Sequence, residues 1–434
     1  MFEYFTFDLS PLTFHPILLA FHFSPSSFHH SPFNMKRILL TAAGIFALLQ
    51  MFAQAPADST GFKSRKLKVE EINLVSSYYK QDGDNAAVTG GIGSQKLTDI
   101  ANVIDIKLTR YDKKLRKHTF GAEVGIDHYT SASSDKVDLK ANSSASSADT
   151  RIYPTLSWSI ENEAKGTTLG IGLSSSTEFD YQSFGANISF AKKTKNKNGE
   201  LTAKFQAYLD QVSLVTPTEL RPGGGGGGGE DDNDYPTTSR NTFAGSLSYS
   251  QIINKSLQIM FLADAVQQQG YLSLPFHRVY FNDASVHQEN LPDNRFKIPL
   301  GFRANYFAGD KFIIKTYYRF YTDDWGLNSH TANIELPIKI TPFLSVSPFY
   351  RYYNQTAIKY FAAYKEHTAV DQFYTSNYDL SKFSSNFFGA GIRVAPPKGV
   401  FGQKHFSMIE IRYGHYSKNI NMNADIISMN LKFK

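Results

Sequence analysis

Between Phe296 and Gln355 the chain alternates apolar and polar residues through four successive segments, and a period of two sharply limits what it can fold into. Phe296, Ile298, Leu300, Phe302, Ala304 and Tyr306 oppose Lys297, Gly301, Arg303 and Asn305. After the turn residues Ala308, Gly309 and Asp310, the set Phe312, Ile314, Thr316, Tyr318 and Phe320 opposes Lys315 and Arg319. Ala332 to Ile340 oppose Asn333, Glu335 and Lys339, and Leu344 to Tyr352 oppose Ser345, Ser347 and Arg351. Strands of soluble sandwiches usually run five or six residues, whereas these run about ten to fourteen, the length that crosses a bilayer at a tilt. The pattern predicts an all-β chain folded as a transmembrane antiparallel β-barrel.

Apolar stretches and turn signals recur at one spacing from Leu67 to the end, so one barrel domain over 67–434 is expected instead of several smaller ones. About sixteen strands, within a range of 14–18, are read from alternation. The connections carry the stronger signal. Long ones follow odd strands, at 81–97, 131–150, 214–240, 270–295 and 356–383, and those after even strands are brief, as at Lys165-Gly166 and Thr341-Pro342. Short periplasmic turns and long extracellular loops explain that segregation, and a soluble β protein has no reason for it. The last strand, with Ile427, Met429, Leu431 and Phe433 alternating with Ser428, Asn430 and Lys432, is the amphipathic terminal strand expected of a chain read by barrel-insertion machinery. Lys434 after the aromatic is a small departure from that pattern.

Composition is consistent with this class. Mean hydropathy is −0.32, and no long apolar run lies in the region after 66, which excludes a bundle of membrane helices. A barrel escapes that exclusion because lumen-facing polar residues offset lipid-facing apolar ones. The 35 Phe and 25 Tyr suit lipid-facing positions and interfacial girdles, and the absence of cysteine excludes disulfides, thiolate metal sites and thiol catalysis. A net charge of +6 is spread singly along strand faces, so no nucleic-acid partner is expected. Residues 1–34 have no periodicity and read as an upstream extension; Met35, Lys36 and Arg37 then open a signal peptide over 35–55, with a periplasmic linker over 56–66. Export of such a chain predicts the cell outer membrane, with outer-membrane lipid as its surroundings.

Catalytic signatures are missing, so no enzyme, cofactor or metal is expected. Ser131 to Thr150 and the glycine run Gly223 to Gly229 with its following acidic residues read as solvated outer loops. What stands out is Thr322-Asp323-Asp324-Trp325-Gly326-Leu327-Asn328-Ser329-His330, then Pro348-Phe349-Tyr350-Arg351-Tyr352-Tyr353-Asn354-Gln355. With Leu274-Pro275-Phe276-His277-Arg278-Val279-Tyr280-Phe281 and Val88-Thr89-Gly90-Gly91-Ile92-Gly93, these stretches resemble an uncharacterised bacterial family, the domain of unknown function 3570. Its members look like exported outer-membrane barrels, and the likeness implies that fold without implying a chemistry.

On the predicted topology Asp323, Asp324, Trp325, His330, Arg351, Tyr353, Gln355, His277 and Arg278 gather at the extracellular rim. Two readings stay open for them. One is a polar-ligand or metal site made by Asp323, Asp324, His330 and His277. The other is a salt-bridged knot holding outer loops, with Trp325 as an interfacial anchor. Asp105, Lys107, Lys297, Arg303, Lys315, Arg319, Glu335, Lys339, Glu410 and Arg412 are expected to point into the lumen with a basic excess, either lining an open pore or cross-linking the interior. The leading expectation is a porin-like channel for small polar or anionic solutes. The alternatives are a non-conducting scaffold that binds a surface or periplasmic partner, and an enzyme at the rim.

Overall fold

The computed structural model describes residues 66–131, 148–220 and 235–434; the expected extension, signal peptide and linker, and most of both low-complexity loops, lie outside them. In chain order the strands are β1 (Lys68–Gly83), β2 (Leu97–Tyr111), β3 (Lys117–Ser131), β4 (Ala148–Asn162), β5 (Thr167–Thr177), β6 (Tyr181–Lys193), β7 (Gly199–Ser213), β8 (Thr237–Asn254) and β9 (Leu257–Gly270). There follow β10 (Arg278–Tyr280), β11 (Val286–Gln288), β12 (Asn294–Ala308), β13 (Phe312–Asp323), β14 (Asn328–Glu335), β15 (Ile338–Thr341), β16 (Leu344–Gln355), β17 (Phe383–Val394), β18 (Phe406–Lys418) and β19 (Met422–Phe433). β10 and β11 form a small hairpin of their own. β14 and β15 are one strand interrupted at Leu336 and Pro337, where the missing proline N–H removes a ladder bond.

The remaining strands make a closed antiparallel barrel of 16 strands. Closure comes from β1 pairing with β19, from Ile72 opposite Phe433 to Gly83 opposite Met422. β9 pairs with β12 across the long connection that contains the hairpin. A closed ring leaves no edge strand with unpaired backbone groups, which a hydrocarbon surround demands.

Alternation decides which face is which. Ile100 and Ile104 on β2, Phe184 and Ile188 on β6, Phe205 and Leu209 on β7, and Ile392 on β17 are all exposed large apolar residues. Within each strand they share one parity, so they form an outward apolar coat where a water-soluble protein would place polar side chains. The opposite parity points into the lumen.

Connection lengths sort by end. The strand ends at one side are joined by connections that span 84–96, 132–147, 214–236, 271–293 and 356–382 in sequence, together with three tight turns. At the other end every connection is brief except 395–405, which carries a 3-10 turn at Val400–Gly402.

Candidate functional site

The long-loop end is closed over by a cap, because the described loops interlock instead of projecting separately. Short bridges join Phe281 to His367, Asn290 to Tyr374 and Phe361 to Thr375, so loops 271–293 and 356–382 fold as one body. Val279 and Thr375 are completely buried in it. Arg278 is its hub. The guanidinium donates to the Glu219 carboxylate at 2.5 Å and 3.1 Å and to the Val88 carbonyl at 2.8 Å, tying loops 214–236 and 84–96 to the hairpin. Gly90 and Gly91 are glycines for a reason visible here: both have positive φ, and a Cβ on Gly91 would lie 2.6 Å from the Ser376 carbonyl oxygen. The early glycine motif and the His277-Arg278 motif therefore meet in space.

Beside the hub, Glu289 accepts from the Leu274 N–H at 2.7 Å and from the Thr375 hydroxyl at 2.5 Å, with His277 Nδ1 3.4 Å away. Burial pushes the Glu289 carboxyl up, but the His277 charge and these hydrogen bonds outweigh it and hold the group below the usual glutamate range. Arg240 of β8 braces the same loop by donating to the Tyr271 and Ser273 carbonyls.

Under the cap, Asp323 accepts from Arg295 Nε at 2.9 Å, from the Tyr321 hydroxyl at 2.8 Å and from the Leu327 N–H at 3.0 Å. Its side chain has no exposed surface, so the charge is fully paired. Trp325 is not an interfacial anchor. It is 3% exposed, packs in a cluster with Leu272, Leu291, Tyr321, Leu327 and Ile358, donates to the Asn294 carbonyl at 2.8 Å and lies against the Arg295 guanidinium. The short 324–327 turn directs the ring toward the cap because the backbone is pinned by the Asp323–Leu327 and Asp324–Phe296 hydrogen bonds.

The remaining rim residues divide. Tyr353 donates to Gln355, and the Gln355 amide donates to the Asp379 and Ser381 carbonyls, fastening loop 356–382 as it returns to the wall. Asp324 is exposed, with its carbonyl accepting from Lys359. His330 shares the outward parity of Ile334 and bonds the Tyr318 hydroxyl at 2.7 Å, so it faces away from buried His277. The set Asp323, Asp324, His330 and His277 is thus not assembled, and no group of three or more metal-ligating side chains with suitable geometry occurs among the described residues. Arg295, Glu289, Thr375 and Glu219 do work that the sequence reading missed. Arg295 sits immediately before the alternating run, a position that gave one usable signal; the loop residues gave none.

The lumen holds a cavity of about 1370 Å³ reaching from the underside of the cap to Glu200 and Gln258, near the short-turn ends of β7 and β9. Among the described residues, nine lysines and arginines and four aspartates and glutamates line it, including Lys297, Arg303, Lys315, Arg319, Arg351, Arg412 and Glu335. Arg412 links Glu335 at 3.2 Å and Glu410 at 2.9 Å, and Lys315 reaches Glu335 at 3.2 Å, so one ion-pair chain runs from β13 to β18. Asp105 and Lys107 belong to a separate inward network on β1, β2 and β19 with Glu71 and Lys432. Lys339 pairs with Ser345 and is exposed at the short-turn mouth.

The family model described as a protein of unknown function (DUF3570) matches residues 117–431. The chain belongs to that family. No curated protein matches this DUF3570 member. Among solved structures it is similar to a bacterial polysaccharide outer membrane secretin, at a TM-score of 0.40 and 8% identity over 84% of this chain and 98% of that one. It is also similar to OccK9 (OpdG) of Pseudomonas aeruginosa, at 0.39 and 9% over 85% and 98%. A BenF-like porin from Pseudomonas fluorescens Pf-5 gives 0.39 and 8% over 84% and 98%.

Proposed function

We propose that this DUF3570 barrel is a porin-like channel of the outer membrane that favours small anionic solutes. The single observation carrying the reading is the cavity inside the strand ring, where, among the described residues that line it, lysine and arginine outnumber aspartate and glutamate by nine to four. In a water-filled, low-dielectric-walled lumen that excess raises the local concentration of anions. The long-loop end is then extracellular, the apolar coat faces lipid, and β19 is the strand read during insertion. Entry from outside passes the interlocked cap, so the route is narrower than the ring of strands.

The test is conductance. Purified, refolded protein in planar bilayers gives discrete steps, and a salt gradient gives a reversal potential of the sign for chloride over potassium. A folded, heat-modifiable barrel that stays silent would favour a scaffold role. Steps with cation preference would overturn the solute class while keeping the channel.

A further inference from the structure

Charge is divided between the two ends of the barrel. The seven connections at the short-turn end hold ten lysines and arginines against three aspartates and glutamates. The described residues of the connections at the long-loop end hold five against eleven. Six of the seven short connections present an exposed lysine, Lys114, Lys165, Lys195, Lys255, Lys311 and Lys398 among them, so the cations ring the mouth instead of forming one patch. Most nearby carboxylates are already engaged. Asp112 is taken up by Arg116 and His118, and the strand-end residues Glu70, Glu161 and Glu71 pair with Lys117, Lys193 and Lys432. Glu163 meets Lys197 at 3.7 Å with both side chains mostly exposed, so water screens that pair.

Exposed apolar side chains accompany these lysines. Leu115 follows Lys114 and is 64% exposed, Phe312 follows Lys311, and Phe401, between Lys398 and Lys404, is 89% exposed. The connection without a lysine presents Phe343. Leu115 and Phe401 have φ of 58° and 54°, a backbone state that bulky residues rarely take. Ring contacts fix the side on which Phe401 lies. Phe433 shares the outward parity of exposed Ile427, Phe406 stacks on it at 5.0 Å, and Phe401 lies 6.4 Å from Phe406. Phe401 therefore continues the apolar coat past the end of the strands. A cation beside an exposed apolar group, repeated round the edge of such a coat, suits the boundary between acyl chains and headgroups. The apolar group and the lysine stem stay in hydrocarbon while the ammonium reaches the phosphates. A water-soluble acidic partner would use the charges and leave exposed Leu115 and Phe401 without a role.

We infer that the short-turn rim docks on the headgroups of anionic phospholipids, with its ring of lysines as the cations and Leu115 and Phe401 as apolar anchors. The inference rests on the membrane reading of the barrel and goes beyond the channel reading. The experiment reconstitutes the full chain in phosphatidylcholine vesicles and follows the motionally restricted fractions of spin-labelled phosphatidylglycerol and spin-labelled phosphatidylcholine. Phosphatidylglycerol associates about three-fold more strongly than phosphatidylcholine at low salt, and about 1 M salt removes the preference. The combined change Lys114→Gln, Lys165→Gln, Lys195→Gln and Lys398→Gln brings the two lipids close to equal association. Lys365→Gln with Lys382→Gln, at the other end, leaves the preference unchanged. Because the chain has no cysteine, Phe401→Cys accepts a single nitroxide, and oxygen relaxes that label more than an aqueous nickel chelate does. Unchanged heat-modifiable migration certifies that each variant is folded. Equal association of the two lipids, a preference that survives the four-lysine change, or a label at 401 reached mainly by the nickel chelate overturns the docking surface. A barrel that selects phosphatidylglycerol but stays silent in bilayers overturns the channel and leaves the surface standing; conductance without selection does the reverse.

Discussion

Asp323 shows how a residue that reads as a candidate ligand becomes a structural pivot once its neighbours are known. Its carboxylate is buried and shared between Arg295, the Tyr321 hydroxyl and the Leu327 N–H. Removing one partner of such a pair leaves an uncompensated charge, which costs about 3–5 kcal/mol. Asp323→Ala should therefore loosen the cap strongly, seen as faster hydrogen exchange in loop 356–382, and the double change Arg295→Met with Asp323→Leu should recover most of it. Glu178 gives a second residue-scale prediction. In the 178–180 turn, burial and the nearby Asp180 push its carboxyl up to about 7 from 4.5. The unfolded turn loses its proton first, so this contribution is complete below pH 4.5 and is lost as the pH rises to about 7. Amide exchange at Phe179 and Tyr181, corrected for intrinsic rate, should accelerate across that window, and Glu178→Gln should abolish the dependence.

The long loops behave as one element at the next scale. Arg278 and Glu289 join parts of the chain that are far apart in sequence, and Gly91 permits the 84–96 loop to approach Ser376. Gly91→Ala meets both a positive φ and a carbonyl oxygen, so the cap should undock while the strand ring stays intact. Limited proteolysis should cut within 271–293 with unchanged heat-modifiable migration. Glu289→Gln removes the charge that faces His277 and should lower cap stability by about 1–3 kcal/mol. Because the Glu289 carboxyl is held low, its contribution is present above the ordinary glutamate range and is lost as the pH falls below it. Wild-type cleavage at that loop should rise on acidification, and Glu289→Gln should blunt the rise.

For the whole molecule, the interior is partly cross-linked. The chain Lys315, Glu335, Arg412 and Glu410 joins strands that are not neighbours, while the cavity beside it keeps its basic excess. Glu335→Gln both breaks this brace and removes a negative charge. On the channel reading it should raise chloride-over-potassium permeability on the order of twofold, read from the reversal potential in planar bilayers. A shift toward potassium would contradict the charge model.

The strand ring was legible because period-two alternation is a local property: Ile298, Leu300 and Phe302 face outward whatever their distant partners are, and a one-residue slip would reverse every side chain. Loop-length segregation likewise follows from topology alone, and the lumen-facing parity of Arg303, Arg319 and Arg412 came with it. The sequence by itself thus determined an all-β barrel with a basic interior. The tertiary structure decided which loop residues meet. Nothing local ties Arg278 to Glu219 and Val88, Glu289 to Thr375, or Trp325 to the inside of the wall instead of the lipid boundary. Those contacts depend on how far each loop folds back across the barrel mouth, a property of the closed ring and of no single segment.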